Sequence, residues 1–295
     1  MQVRKKLQKI RERPLIAVFA VVVAVFVAYS LWSHAVLPNT TAQTAPRRHH
    51  VQTKSQNPAQ NTTSLTALSN YSVPILMYHY IRTVTDSHDR LGFNLSVTPD
   101  NFDTQMLWLS QNHYHTLSLA DYCNKKVVDE GKPIVLTFDD GYDDAFTTAL
   151  PTLQKYHFIG TFFIVKNFID KTGYVSSDDL KKMNAAGMEL GAHSQNHINL
   201  ATAPLAKQKE EIEGSKQISP VFAYPAGKYT ADTINLVHQA GYICAVTTHS
   251  GMANEHSLPY ELPRVRVSGS DTLNRFIQNV TAVKHTVQPK LRSTL

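Results

Sequence analysis

Short apolar runs alternate with amphipathic segments along residues 73–283. The uncharged, β-branched run at 133–138 is typical of a buried strand, and Thr98 followed by Pro99 marks the start of a helix over 99–113. Further strands are expected at 73–80, 116–119, 160–165, 188–193, 221–224 and 242–247, and further helices at 120–130, 143–156, 177–186, 204–217, 231–240 and 273–283. Repeated strand–helix units predict a parallel α/β domain. Because the sequence carries neither a G-x-G-x-x-G nor a P-loop signature, an α/β barrel is the preferred architecture.

A different hydrophobic pattern lies near the N-terminus. Residues 15–32 are 18 residues without a charge, and as a helix they would span roughly 27 Å, close to the hydrocarbon thickness of a bilayer. Tyr29 and Trp32 at the outer end of this segment fit an aromatic belt, and the basic residues 1–14 before it would stay cytoplasmic. We therefore expect a transmembrane anchor with the rest of the chain exported. A cleaved signal peptide is the alternative, with a small-x-small site at residues 33–35.

The charges divide the chain in the same way. The whole chain has 29 Lys and Arg against 23 Asp and Glu, a net charge of +6, which alone would suggest a polyanionic partner. Residues 1–13 account for +5 and residues 38–70 for +3, so residues 71–295 carry −2. The polar composition of 33–70 predicts a flexible linker ahead of a folded domain at 71–295. The positive charge therefore indicates membrane orientation, and we expect no nucleic-acid partner.

The chain contains two cysteines, Cys123 and Cys244. Two cysteines exclude a disulfide-rich scaffold and a zinc site built on four cysteines. We expect both to be buried small side chains rather than a pair, although export of the domain would permit a disulfide.

Polar side chains gather directly after two of the predicted strands. Strand 133–138 leads into Asp139 and Asp140, and the glycine that follows permits a tight turn in which both carboxylates face one site. A helix N-cap is the alternative interpretation, because acidic side chains are favourable there. His193 and His197 follow another strand and, being four residues apart, can share one face of a helical turn. One carboxylate and two imidazoles can hold a catalytic metal and leave the other carboxylate as general base.

The ordered segments TFDDGY (137–142), HSQNH (193–197) and FAYPAGKY (222–229) resemble the motifs of the polysaccharide deacetylases, the carbohydrate esterases with NodB homology. The resemblance extends over about 73–267. It implies a distorted (β/α)7 barrel that removes N-acetyl groups from polymers of N-acetylglucosamine. It also implies roles for four residues: Asp139 as catalytic base, and Asp140, His193 and His197 as ligands of a divalent metal. These ligands suit Zn²⁺ best but also accept Co²⁺ or Ni²⁺.

The third motif departs from the family pattern R-x-P-Y. Ala223 and Ala226 stand where the family has arginine and tyrosine, and the family's late Leu-x-His motif is not evident in the sequence. Residues 74–79 (PILMYH) and 262–264 (LPR) instead resemble the branch that deacetylates poly-β-1,6-N-acetylglucosamine.

That likeness implies His79 as the catalytic acid and Arg264 as the partner of the catalytic base. A core histidine and an ordinary surface ion pair are the respective alternatives. The predicted substrate-binding residues are Tyr142, Tyr224, Pro225 and Ala226, the last through its backbone N–H.

The sequence thus predicts a membrane-tethered, extracellular and monomeric metal-dependent deacetylase. Its expected substrate is a polysaccharide that contains N-acetylglucosamine, with the β-1,6 polymer of biofilms preferred. A peptidoglycan N-acetylglucosamine deacetylase and a cell-surface carbohydrate-binding protein without turnover are the alternatives, the latter because of the altered third motif.

Overall fold

The computed structural model describes residues 72–125 and 131–282. The predicted cytoplasmic flank, membrane segment and linker lie outside these residues. In the described ranges, none of the helices has the length and apolar character needed to cross a membrane.

The secondary structure follows the alternation expected from the sequence. The strands are β1 (Ile75–Tyr78), β2 (Tyr80–Ile81), β3 (Ser96–Val97), β4 (Tyr114–Leu117), β5 (Lys132–Phe138), β6 (Thr161–Ile164), β7 (Glu189–Ala192), β8 (Val221–Ala223), β9 (Cys244–Ser250) and β10 (Leu262–Arg266). The helices are α1 (Arg90–Leu95), α2 (Pro99–Gln111), α3 (Leu119–Cys123), α4 (Leu150–Lys155), α5 (Ser177–Ala185), α6 (Leu205–Ser215), α7 (Ala231–Gln239) and α8 (Leu273–Thr281), and a π-helical stretch, Ala145–Ala149, directly precedes α4.

Seven parallel strands close into a barrel. Their order is β1-β10-β9-β8-β7-β6-β5, and β5 pairs back onto β1. β4 is added alongside the first half of β5, and β2 and β3 form a separate pair. The predicted α/β barrel is confirmed. β10 was not predicted as a strand, because Pro263 and two arginines interrupt the apolar pattern there.

Apolar side chains fill the barrel interior. Alternate residues of the strands, among them Ile75, Val135, Phe163 and Val246, form one fully buried cluster. Gly191 is required at this layer, since a Cβ at that position would lie 2.3 Å from the Phe163 ring. Because the interior is packed, a ligand can bind only at an end of the barrel, and in such barrels the functional end is the carboxyl end of the strands.

Cys123 and Cys244 form a disulfide, so the expectation that they are unpaired was wrong. The bond joins the end of α3 to the start of β9, with the two Cα atoms 6.4 Å apart and the cysteines 121 residues apart in sequence. At such a separation only barrel closure brings the two residues together, and the sequence pattern contains no sign of it.

Replacing both cysteines, Cys123→Ala with Cys244→Ala, is expected to lower the free energy of unfolding by about 2–5 kcal/mol, because the bond constrains a long loop of the unfolded chain. Urea unfolding of the oxidised protein, the reduced protein and the double variant measures this. The reduced protein should match the double variant. Equal midpoints for all three would contradict a stabilising bond.

Candidate active site

The two carboxylates of the first motif diverge at a sharp turn after β5. Asp140 and Gly141 both adopt positive φ, +77° and +75°, which aspartate tolerates and glycine favours. The Asp139 backbone N–H donates to the Tyr78 carbonyl at 2.9 Å and holds the turn against β1. Neither carboxylate caps a helix, since each has side-chain partners elsewhere. The turn therefore presents the two carboxylates to the carboxyl end of the barrel.

Asp139 forms a buried bidentate ion pair with Arg264. Nη1 donates to Oδ1 and Nη2 to Oδ2, each at 2.7 Å, and the arginine is 1% exposed. Its other donors bond to the Thr247 carbonyl and the Thr137 hydroxyl. Burial raises the pKa of Asp139, but the charge and hydrogen bonds of Arg264, together with the nearby His79 and His193, outweigh burial and hold that pKa below its usual range. Asp139 is therefore ionised at neutral pH, as a general base must be.

This pair bears on the altered third motif. The arginine that contacts Asp139 comes from β10, whereas β8 carries Ala223 at the position of the family's motif arginine. The burial of Arg264 excludes an ordinary surface ion pair.

Asp140, His193 and His197 come together as a candidate metal site. The Asp140 Oδ1 atom lies 3.4 Å from His193 Nε2 and 3.2 Å from His197 Nε2, and the candidate ligand atoms all lie within 4.8 Å of one another. The Nδ1 atom of His193 lies 2.7 Å from the Ala223 carbonyl. That carbonyl fixes the proton on Nδ1 and leaves the Nε2 lone pair free to bind a metal. A carboxylate with two imidazoles is a fitting donor set for Zn²⁺ and similar ions.

The two histidines do not share a helical turn, so this part of the prediction was wrong. Residues 193–197 form a loop in which Ser194 and His197 have positive φ. The fully buried carboxylate of Glu211 on α6 holds this loop, accepting from the Asn196 backbone N–H at 2.8 Å and side-chain amide at 2.6 Å. Sequence analysis missed Glu211, and the available signal was an acidic residue on the buried face of that helix.

His79 follows β1 at the rim of the same site. Its Nε2 atom lies 3.8 Å from Asp139 Oδ2, and 13% of the side chain is exposed, so it is not a core histidine. Burial lowers the pKa of His79 and outweighs the opposing influence of Asp139 and Asp140. A partly exposed imidazole close to Asp139 is in a position to exchange a proton with a bound substrate.

The predicted substrate-binding residues differ in accessibility. Tyr142 lies between Tyr80 and Tyr174, with ring centroids 3.6 Å and 5.3 Å away, so its ring has no free face on which a sugar could stack. Tyr224 is buried and donates its hydroxyl to a main-chain carbonyl at 3.0 Å. Pro225 is also buried, so direct contact of these two side chains with substrate is not supported.

Ala226 is the exposed member of the predicted set. It has a φ of +51° within the turn that follows β8. The residue is exposed to solvent, as an oxyanion donor must be to reach a bound substrate.

Asp144 is a buried carboxylate that the sequence analysis did not single out. Its Oδ2 atom accepts from the Ile81 backbone N–H at 3.0 Å, which ties the segment after His79 to the first motif. Its Oδ1 atom has no hydrogen-bond partner among the described residues. Burial raises the pKa of Asp144 to about 7. The folded state thus keeps a proton that the unfolded chain has already released at neutral pH.

Because the pKa of Asp144 is raised in the folded state, this group's contribution to the free energy of unfolding is fully present below the ordinary pKa of aspartate. That contribution is lost as the pH rises towards 7. Asp144→Asn is therefore expected to raise the free energy of unfolding at pH 8 by about 2–4 kcal/mol, at about 1.4 kcal/mol per pKa unit, and to leave it unchanged near pH 4. Urea unfolding at both pH values measures the difference. Equal effects at the two pH values would contradict the assignment.

Comparison with known proteins identifies the family. Residues 126–245 match the polysaccharide deacetylase family model. The putative polysaccharide deacetylase YxkH of Bacillus subtilis (strain 168) is 31% identical over 208 residues, which cover 66% of this chain and 71% of that protein. The poly-β-1,6-N-acetyl-D-glucosamine N-deacetylase of Staphylococcus aureus (strain MRSA252) is 22% identical over 252 residues, 75% of this chain and 86% of that protein.

A solved structure agrees with this match. The structure of the Streptococcus pyogenes deacetylase PplD in complex with acetate superposes with a TM-score of 0.66 at 27% identity, covering 72% of this chain and 99% of that one. The chain therefore belongs to the polysaccharide deacetylase family and is a hydrolase of the N-deacetylase type. His79 and Arg264 lie outside the residues that match the family model.

Proposed function

We propose that this protein is a metal-dependent N-deacetylase that hydrolyses the acetamide groups of N-acetylglucosamine units in an extracellular polysaccharide. The observation that carries the proposal is the buried Asp139–Arg264 pair beside Asp140, His193 and His197. One carboxylate is kept ionised by a guanidinium, and the other points at two imidazoles. The two carboxylates therefore have different functions, one as general base and the other as a ligand of the adjacent metal site.

Each residue then has a defined role in amide hydrolysis. Asp140, His193 and His197 would hold a divalent ion, which when bound supplies Lewis acidity for activating water and polarising the acetamide carbonyl. Asp139 accepts a proton as the water oxygen bonds to the carbonyl carbon.

The remaining residues act on the oxyanion and the leaving group. The Ala226 backbone N–H donates to the oxyanion. His79, in its protonated form, gives a proton to the amine nitrogen as the C–N bond breaks. The products are acetate and a glucosamine unit.

We propose poly-β-1,6-N-acetylglucosamine as the preferred substrate. Support comes from the likeness of the chain to the S. aureus enzyme named for that polymer and from Met77-Tyr78-His79 and Leu262-Pro263-Arg264, which carry the acid and the arginine partner. The net charge of −2 on residues 71–295 suits a polymer that becomes cationic as acetyl groups are removed. Zn²⁺ is the proposed ion, with Co²⁺ and Ni²⁺ as alternatives.

We also propose that the domain acts outside the cell as a monomer. Residues 1–14 would be cytoplasmic, residues 15–32 would anchor the chain in the membrane and residues 33–70 would link the anchor to the domain. Cleavage after the hydrophobic segment would instead give a secreted form. The Cys123–Cys244 bond supports export, because disulfides persist in oxidising compartments.

Acetate release from three substrates tests the proposal. The full-length protein, loaded with Zn²⁺, is assayed on β-1,6-linked N-acetylglucosamine oligomers, on chitooligosaccharides and on peptidoglycan. The highest kcat/KM is expected on the β-1,6 oligomers. A preference for peptidoglycan would favour the cell-wall deacetylase, and no release from any substrate would favour a carbohydrate-binding protein.

A further inference from the structure

A second polar cluster lies where the loop after β8 meets the end of β9 and the residue before β10. β8 is the neighbour of β7, the strand that leads into the candidate metal site. The Tyr229 hydroxyl donates to Glu261 Oε1 at 3.0 Å and lies 3.5 Å from His249 Nδ1. The three residues come from the loop after β8, the end of β9 and the segment before β10. Nothing in the proposed chemistry uses any of them.

The Tyr229 ring is held in a fixed orientation. It stacks on the buried Tyr224 ring, with centroids 4.4 Å apart and an angle of 26° between planes. The preceding turn lies directly against β9, because a Cβ at Gly227 would be 2.0 Å from the Thr248 hydroxyl oxygen. Tyr229 is nevertheless only half-buried. A rigid, accessible aromatic ring is suited to packing against the C–H face of a sugar, since little conformational entropy is lost on binding.

The same turn links this cluster to the active site. Ala226, the proposed oxyanion donor, is three residues from Tyr229, so their Cα atoms are at most roughly 11 Å apart. At its other end the turn begins after Ala223, whose carbonyl accepts from His193. A polymer with one sugar at the active site would therefore extend past Tyr229 if it followed this side of the rim.

Glu261 gives the cluster a negative charge. Among the described residues, no lysine, arginine or histidine nitrogen lies at ion-pair distance from its carboxylate. Its Oε2 atom accepts no hydrogen bond and is not buried. Burial and the adjacent Glu261 raise the pKa of Tyr229 to about 12, so its hydroxyl keeps the proton that it donates. A carboxylate beside an aromatic ring favours a cation over a neutral group.

We propose that Tyr229 and Glu261 form a subsite for a glucosamine unit that has already lost its acetyl group, adjacent to the acetamide being hydrolysed. The ring packs against the sugar and the carboxylate pairs with its ammonium group. This inference rests on the proposed function and adds a preference to it. The enzyme works fastest next to units that are already deacetylated, and so produces runs of glucosamine rather than isolated units.

Binding of a glucosamine hexamer tests the subsite, because that ligand has no acetyl group and cannot turn over. Glu261→Gln keeps the acceptor oxygen and removes the charge, and should raise Kd for the glucosamine hexamer about three-fold, as for a partly exposed ion pair. Tyr229→Ala should raise it about ten-fold, whereas Tyr229→Phe, which retains the ring, should change it little. Glu213→Gln, on an exposed face of α6, is the matched control and should have no effect.

Calorimetric titrations with glucosamine and N-acetylglucosamine hexamers separate the possible outcomes. The proposal expects Glu261→Gln to weaken only the glucosamine hexamer. An unchanged Kd, or equal weakening of both hexamers, would overturn it. Acetate release from the N-acetylglucosamine hexamer is measured on the same wild-type sample. Its absence would refute the proposed function alone, while unchanged Kd values in a protein that releases acetate would refute the subsite alone.

Discussion

Asp139→Asn is expected to lower kcat for acetate release by about 10³-fold, within the range that positioned general bases contribute. The amide has nearly the shape of the carboxylate but cannot accept a proton from water. The variant also places an amide NH₂ against the buried guanidinium of Arg264, where a carboxylate oxygen accepted at 2.7 Å. The measurement is steady-state acetate release with saturating metal, accompanied by a metal-binding titration.

Asp143→Asn is the matched control for this variant. Asp143 belongs to the same acidic run but is exposed, so its activity should stay within about two-fold of the wild type. If Asp139→Asn retained full activity while binding metal normally, Asp139 would not be the base.

Arg264→Gln is expected to lower the free energy of unfolding by about 3–5 kcal/mol, because it leaves the Asp139 carboxylate buried without its partner. The same change removes the strongest influence that lowers the pKa of Asp139. Burial, which raises that pKa, is then opposed only by the weaker influence of His79 and His193, so the pKa rises. Since the base must be ionised, the acidic limb of the kcat/KM profile should move to higher pH.

The pH profile separates this role from simple stabilisation. Arg264→Lys keeps a positive charge and should restore part of the shift. Arg90→Gln, which removes an exposed positive charge on α1, should leave the acidic limb in place. An acidic limb that did not move in Arg264→Gln would contradict the assigned role.

The sequence pattern was sufficient for the barrel and for the metal-binding candidates. Residues 133–138 are predicted to form a buried strand because they are apolar on both faces. The residues that follow are candidate catalytic residues because the carboxyl ends of the strands meet at one rim of the barrel. Asp140, His193 and His197 come together because their strands, β5 and β7, are separated only by β6. Local patterns thus predict contacts well when the elements that carry them lie close together in the sheet.

The features that sequence analysis missed depend on contacts between distant segments. β10 departs from an apolar pattern because Arg264 points inwards to meet Asp139, 125 residues away in sequence. The disulfide and the support of the histidine loop by Glu211 likewise join segments that no local pattern connects. Tyr224 was assigned to the substrate because it belongs to a motif, whereas its ring packs in the core.

Acetate release during a metal titration tests the central claim most directly. Chelator-treated protein is titrated with Zn²⁺ while acetate release from β-1,6-linked N-acetylglucosamine oligomers is measured. One candidate site, Asp140 with His193 and His197, lies in the described residues, so activity should be absent without metal and reach a plateau at one equivalent per chain. Acetate release that persists without metal, or no release at any concentration of Zn²⁺, Co²⁺ or Ni²⁺, would contradict a metal-dependent deacetylase.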